Sequence, residues 1–300
     1  MAATANAVNA PRPVSWSNRL GVSLTPIATG VWAAERPFMW NKIDVGGRSV
    51  ICRVGDGSLL VHSPVEHSTE LGMCLDALGG NVGYVVSPNY EHVKYAKQWS
   101  DAYPLAKMVA CPGLPTRLPE VPWSMEIGNP GSASFTSEFL STIAYVHFDC
   151  EQSPSLGNKQ EPFFNEVVWF HVPSRTLFMA DAYWNYPSHS LVNYAGDAEG
   201  TGTVHECSKM PVDPSRKGPG GTYPEVRVPL GTRLWKFGMD KVYLPFYKRV
   251  MVGRSGERRD RYNAAVAQLL AWEPEYIVPC HGDVIKGKQL CQKVLNLHFK

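Results

Sequence analysis

Ser87-Pro88-Asn89-Tyr90-Glu91-His92 follows the apolar run Tyr84-Val85-Val86 and leads into a helical pattern, so an acid and a histidine stand together where a strand ends. Two later stretches repeat this arrangement. Thr176-Leu177-Phe178-Met179-Ala180-Asp181 ends a strand-like run on a carboxylate, and Tyr276-Ile277-Val278-Pro279-Cys280-His281-Gly282-Asp283 ends one on a histidine. Strand ends are where open α/β sheets collect ligands.

Upstream of the first stretch, short apolar segments at Gly30-Val31-Trp32, Lys42 to Val45, Ser49 to Val54 and Ser58 to His62 are separated by Gly46-Gly47 and Gly55-Asp56-Gly57, which predicts an antiparallel meander. Ser63-Pro64-Val65-Glu66 has the form of a capping box, with proline at the first helical position. Leu71, Cys74, Leu75 and Leu78 share one helical face, and Gly79-Gly80 stops the helix. The unit then recurs, with Val82 to Val86 as strand, a helix carrying His92, Tyr95, Ala96 and Trp99 on one face, and a strand at Lys107 to Cys111. Strand and helix in alternation imply a partly parallel sheet covered by helices.

Strand signals return at Thr142 to Phe148 and at Val167 to Val172, the second forming a hairpin with Thr176 to Ala180. Residues 183–236 read as an irregular insertion or lid, followed by a helix with Tyr262, Val266 and Leu269 on one face, the strand ending at His281, and a helix to about Leu297. The expected organisation is a flexible tail over 1–23 and one domain over 24–300.

Three hundred residues, 44% hydrophobic and 19% charged, suffice for a large core. No apolar run approaches the roughly 20 residues of a bilayer span, and no charged start before an apolar core marks a secretory signal. Seven scattered cysteines with no CxxC pair fit a reduced compartment and argue against a zinc ribbon. The first 34 residues carry only Arg12 and Arg19 as charges. That composition fits a floppy tail in a cytoplasmic protein, or a short segment directing it to a chloroplast or mitochondrion.

The net charge of +2 conceals a basic segment, since residues 205–261 hold 13 lysines and arginines against 6 acids. Such a segment favours an anionic ligand or a small anionic substrate. Tyr223, Trp235, Tyr243 and Tyr247 lie within it, where they could stack on nucleic-acid bases, but a packed lid explains them equally and nucleic acid is not the expected partner. No Gly-x-Ser-x-Gly elbow or phosphate loop is present.

Meander, strand-loop-helix with an acid-histidine pair, hairpin ending in Asp181 and late strand ending in His281-Gly282: this order resembles the metallo-β-lactamase superfamily. Trp40-Asn41-Lys42, His62-Ser63-Pro64-Val65-Glu66 and Asn89-Tyr90-Glu91-His92 are similar to a divergent branch of it, a domain of unknown function. The resemblance implies a four-layer αββα sandwich of α/β (α+β) class with metals at one edge of two facing sheets. The superfamily's first loop reads His-x-His-x-Asp-His; here Ser87, Asn89, Glu91 and His92 stand at those positions, and the middle histidine expected near Glu161 to Glu166 is absent. The groups matching the first of the family's two metals are therefore gone, while Glu91, His92, Asp181 and His281 match the second metal's set.

What the resemblance implies is a single Zn²⁺ or Fe²⁺ ion with an open position for water, Asp181 orienting that water, and Ser87 or Asn89 contacting the substrate. The reaction class is hydrolysis of an ester, thioester, lactone or phosphoester. A binding or scaffold protein that keeps the sandwich without metals is the alternative.

Overall fold

Alternating burial along the strands divides the side chains between an inner core and two outer ones. The computed structural model describes residues 12–13, 15–18, 21–79, 81–152, 162–187 and 227–300. One sheet contains β1 (Thr25–Ala28), β2 (Val31–Arg36), β5 (Gly47–Arg53), β6 (Leu59–His62), β7 (Val82–Ser87), β8 (Lys107–Ala110) and β9 (Met125–Glu126), side by side in that order. Its first half is the expected antiparallel meander, and β6 to β9 run parallel. The hairpin of β3 (Met39–Trp40) and β4 (Ile43–Asp44) stands apart.

The second sheet orders β10 (Ile143–Phe148), β11 (Glu166–His171), β12 (Thr176–Met179), β13 (Tyr276–Pro279) and β14 (Ile285–Lys286). Here β11 and β12 form the expected hairpin, and β12 pairs in parallel with β13.

Period-two alternation decides which core each residue joins. Val50, Cys52, Leu60, Tyr84 and Val86 of the first sheet meet Val167, Trp169, Phe178 and Val278 of the second between the sheets. Their odd neighbours Ile51, Leu59, Val61 and Val85 face outward onto α1 (Thr69–Ala77) and α2 (Ala96–Ala102), through Leu71, Cys74, Leu75 and Trp99. The short helix α3 (Leu114–Arg117) joins β8 to β9 within the first sheet, and α4 (Ser137–Thr142) leads from β9 to β10 of the second. Val168, Phe170, Leu177 and Ile277 face the other way, onto α7 (Glu257–Ala271) and α8 (Lys288–Phe299), through Tyr262, Val266, Leu269, Cys291 and Leu295. The layers are thus helix, sheet, sheet, helix. Each fully buried large side chain contributes roughly 1.5–3 kcal/mol of transfer free energy.

Between β12 and α7 the chain forms a continuous helical stretch over residues 230–251. It consists of α5 (Leu230–Gly238), a π turn (Met239–Tyr243), α6 (Leu244–Phe246) and a second π turn (Tyr247–Met251). Pro245 has no N–H to give to an intrahelical bond, and the widened turns flank it. Among the described residues no helix is long and apolar enough to cross a membrane.

Three local expectations need correction. The first helix starts at Thr69, capped by the Ser68 hydroxyl, which accepts from Leu71 N at 3.3 Å. Ser63 is instead held at φ +52°, with its hydroxyl turned to His92. The insertion expected to be irregular over 183–236 becomes regular at Leu230, and most of its remainder, 188–226, lies outside the described residues. Within the expected tail, Trp16 is buried against Tyr186 at a ring separation of 6.4 Å, and Asn18 donates to the carbonyls of Val22 and Glu35. These contacts fasten residues 16–18 to the domain.

Candidate metal centre

The two sheets deliver their strand ends to one rim. In the parallel β12–β13 pair, Met179 stands opposite Pro279, so Asp181 and His281 both emerge two residues beyond that last pair. From the facing sheet, β7 ends at Ser87 and the loop after it brings His92 across. One ligand atom from each of His92, Asp181 and His281 lies within 4.8 Å of the other two. His92 Nε2 is 3.2 Å from Asp181 Oδ2, and His281 Nε2 is 3.6 Å from Asp181 Oδ1.

Both histidines are aimed by bonds at their other ring nitrogen. His281 Nδ1 lies 2.7 Å from Gly46 O and 3.3 Å from Val45 O, so it donates there, which turns Nε2 toward Asp181. His92 Nδ1 pairs with Ser63 Oγ. That bond gives Ser63 its role: the hydroxyl that the sequence pattern assigns to a helix cap orients a ring of the centre. The backbone N–H groups of Glu91 and His92 both donate to Asn89 Oδ1, at 3.0 and 2.9 Å, which fixes the turn that carries His92 ahead of α2.

Charge at the rim follows from these neighbours. Burial works to raise the Asp181 pKa, but the charge of His92 and the bonds from both histidines overcome it and hold the carboxylate well below the usual range. Burial lowers the His281 pKa, and Asp181 together with the carbonyls of Gly46 and Val45 more than reverses that, for a net rise.

Of the remaining expected site residues, none joins this trio of atoms. Glu91 is exposed; partial desolvation and then the charge of Asp181 raise its pKa, which sets it at the mouth. Ser87 is wholly buried at the end of β7, and Asn89 is buried as well. Asn89 Nδ2 donates to Asp181 Oδ2 at 2.8 Å and to Glu166 Oε2 at 3.1 Å, so its amide binds two carboxylates of the protein and is closed to an outside ligand. Both expected substrate contacts thus lie at internal positions.

Glu166, the first residue of β11, underlies the whole arrangement. Its carboxylate accepts from the backbone N–H groups of Ala180, Asp181 and Ala182 at 2.7, 2.6 and 2.9 Å, in addition to Asn89. Burial and then Asp181 push its pKa up to about 8, against the pull of those three N–H groups. In sequence Glu166 could equally supply a donor in place of the histidine absent from that region. The signal for its actual place is an acid opening the otherwise apolar run Val167 to Phe170. His147 and His171, which could also stand in for a missing ligand, are engaged elsewhere, with Asn165 and with Ser174 and the Arg53 carbonyl. His189 and His205 lie outside the described residues.

A second buried acid gives the protein a pH dependence. Glu151 is 5% exposed, its Oε2 has no hydrogen-bond partner, and Tyr243 and Tyr247 are near it. Burial, opposed by the N–H groups of Phe164 and Asn165, raises its pKa from 4.5 to about 7. Between those two values the folded chain retains a proton that the unfolded chain releases, so stability falls as pH rises through that window. The loss is on the order of 3 kcal/mol for a shift of this size. Urea unfolding below and above the window is expected to show this loss in the wild type and to show it removed in Glu151→Gln; an equal slope in both proteins refutes the assignment.

Solved structures place the architecture. The metal-soaked flavodiiron core Flv1 of Synechocystis sp. PCC6803 superposes with a TM-score of 0.52 at 12% identity, over 92% of this chain and 60% of that one. A metallo-β-lactamase from Hirschia baltica matches at 0.48 and 11%, over 92% and 96% of the two chains. The mono-zinc form of the metallo-β-lactamase FIM-1 from Pseudomonas aeruginosa matches at 0.45 and 15%, over 96% and 97%. The chain has the metallo-β-lactamase fold. Within that class, residues 29–195 match the family described as Domain of unknown function (DUF4336), and the chain belongs to this family. No curated protein matches it.

Proposed function

We propose that His92, Asp181 and His281 hold one Zn²⁺ or Fe²⁺ ion and that the protein is a one-metal hydrolase of an ester, thioester, lactone or phosphoester. The observation that carries this reading is the convergence of two imidazoles and a carboxylate with both Nδ1 atoms already engaged. Two histidines and one carboxylate suit either ion and leave coordination positions open. When bound, the ion supplies Lewis acidity and brings the pKa of water toward neutrality.

The chain's own residues do the rest. Asp181 Oδ1 orients a water at the rim, Asn89 holds Oδ2 of the same carboxylate, and Glu91 meets the substrate at the mouth. A second ion has no place in this reading, because the Asn89 amide already lies between the carboxylates of Asp181 and Glu166.

The test is metal content per chain, measured by mass spectrometry on protein purified without a chelating tag. About one ion per chain is expected, lost in both His92→Ala and His281→Ala, with affinity falling at least about 100-fold. A metal-free wild type that is as stable as the metal-supplemented protein would overturn the hydrolase and favour the scaffold.

A further inference from the structure

The stretch over 230–251 is apolar on both faces. Inward it sets Trp235, Met239, Tyr243, Tyr247 and Met251 into the cores, and Trp235 reaches Tyr186, whose ring stacks on His281 at 6.1 Å. Outward, Leu230, Leu234, Phe237, Val242, Phe246 and Val250 recur every three to five residues and are between 39% and 66% exposed. Arg233, Lys241 and Arg249 are exposed too, each directly before a member of that stripe. The stretch contains five basic residues and a single acid, Asp240, which is taken up by Lys236 Nζ at 2.6 Å and Trp184 Nε1 at 3.0 Å. Beside the start of α5, where Thr232 donates to Asp44 O, the β3–β4 hairpin exposes Met39 and Trp40.

A soluble helix ordinarily presents one polar face. A row of Leu, Phe and Val interleaved with cations and bordered by tryptophan is the composition of a helix that lies in the plane of a lipid interface, its apolar side among the acyl chains and its cations at the headgroups. We propose that this outward face docks the protein on an anionic bilayer surface. Nucleic acid fits the face less well, because Trp235, Tyr243 and Tyr247 point inward and the two outward aromatics, Phe237 and Phe246, stand in a row of Leu and Val. The docking surface is independent of the metal reading, since none of its residues touches His92, Asp181 or His281.

Flotation of the full chain with phosphatidylcholine vesicles, with and without phosphatidylglycerol, tests the proposal. The chain is expected to float with the phosphatidylglycerol vesicles and to be released by salt. Phe237→Glu and Leu234→Glu are each expected to lower partitioning roughly tenfold or more, and Arg249→Ala about fivefold. These positions are exposed, so thermal melting and metal content should match the wild type. A wild type that ignores both vesicles, binds polyuridylate in their place, or instead self-associates through the stripe, with Phe237→Glu monomeric, overturns the proposal. So does a Phe237→Glu variant that floats as well as the parent.

Discussion

Gly282→Ala is expected to lower the melting temperature sharply and, on the one-metal reading proposed above, to abolish metal binding, although it adds only one methyl group. Gly282 has φ +95°, where L side chains are strained, and a Cβ built on it would lie 2.1 Å from both C and O of Asn185 and 2.6 Å from Tyr186 N. Those atoms are backbone and cannot swing aside. They are also fastened to the segment they press on: Asn185 N donates to His281 O at 3.0 Å, Asp283 N to Asn185 O at 2.8 Å, and Asn185 Nδ2 to Asp283 O at 3.0 Å. Relief requires the 281–283 turn to part from 185–186, which carries His281 away from Asp181. Left-handed strain together with a backbone displacement should cost about 3 kcal/mol or more. For a chain of this size that is a fall of roughly 6–12 °C. Calorimetry and metal analysis on the same preparation would check both halves, and an alanine variant that melts and binds like the parent would show that the turn yields freely.

Glu166→Ala should have the largest effect on stability of any substitution near the rim that leaves all three donors in place. It leaves three backbone N–H groups without their acceptor in a water-poor interior, takes from the Asn89 amide one of its two acceptors, and opens a void beneath Asp181. Each orphaned buried donor costs about 1–3 kcal/mol before relaxation, so a loss on the order of 3–5 kcal/mol is expected from urea unfolding. A double-mutant cycle with Asn89→Ala should return a coupling of about 0.5–3 kcal/mol, because the two side chains share one bond and one function, holding Asp181. If the single variant loses less than about 1 kcal/mol, water or a shifted Asn89 has taken over the N–H groups, and Glu166 is not what fixes the strand end.

The pattern of residues made the strands, their faces and the ends that carry Asp181 and His281 readable. A run such as Val167 to Phe170 alternates between two cores whatever its partners are, and a polar group placed just past it must lie at the sheet's edge. Helix starts were less readable. Ser63 and Ser68 both precede a suitable apolar face, and what excludes Ser63 as the cap is its bond to His92, a residue 29 positions away. His92 itself was placed on a helix, whereas Asn89 captures two N–H groups and holds it in a turn before the helix begins. A side-chain acceptor competing with the helical ladder leaves little trace in hydrophobic periodicity.

From its sequence alone the chain determined its strands and the metal-type donors at three strand ends, because local alternation and residue chemistry need no knowledge of distant partners; the sandwich and the absence of one metal's usual ligands were what the resemblance to the metallo-β-lactamase superfamily implied. The parallel pairing of β12 with β13 joins residues 100 positions apart, and only that register brings Asp181 beside His281. Tertiary structure likewise decided that Asn89 and Glu166 answer each other, and that 230–251 turns a basic apolar face outward. These outcomes depend on which segments meet across long stretches of chain, and hydrophobic periodicity, being local, is silent about that.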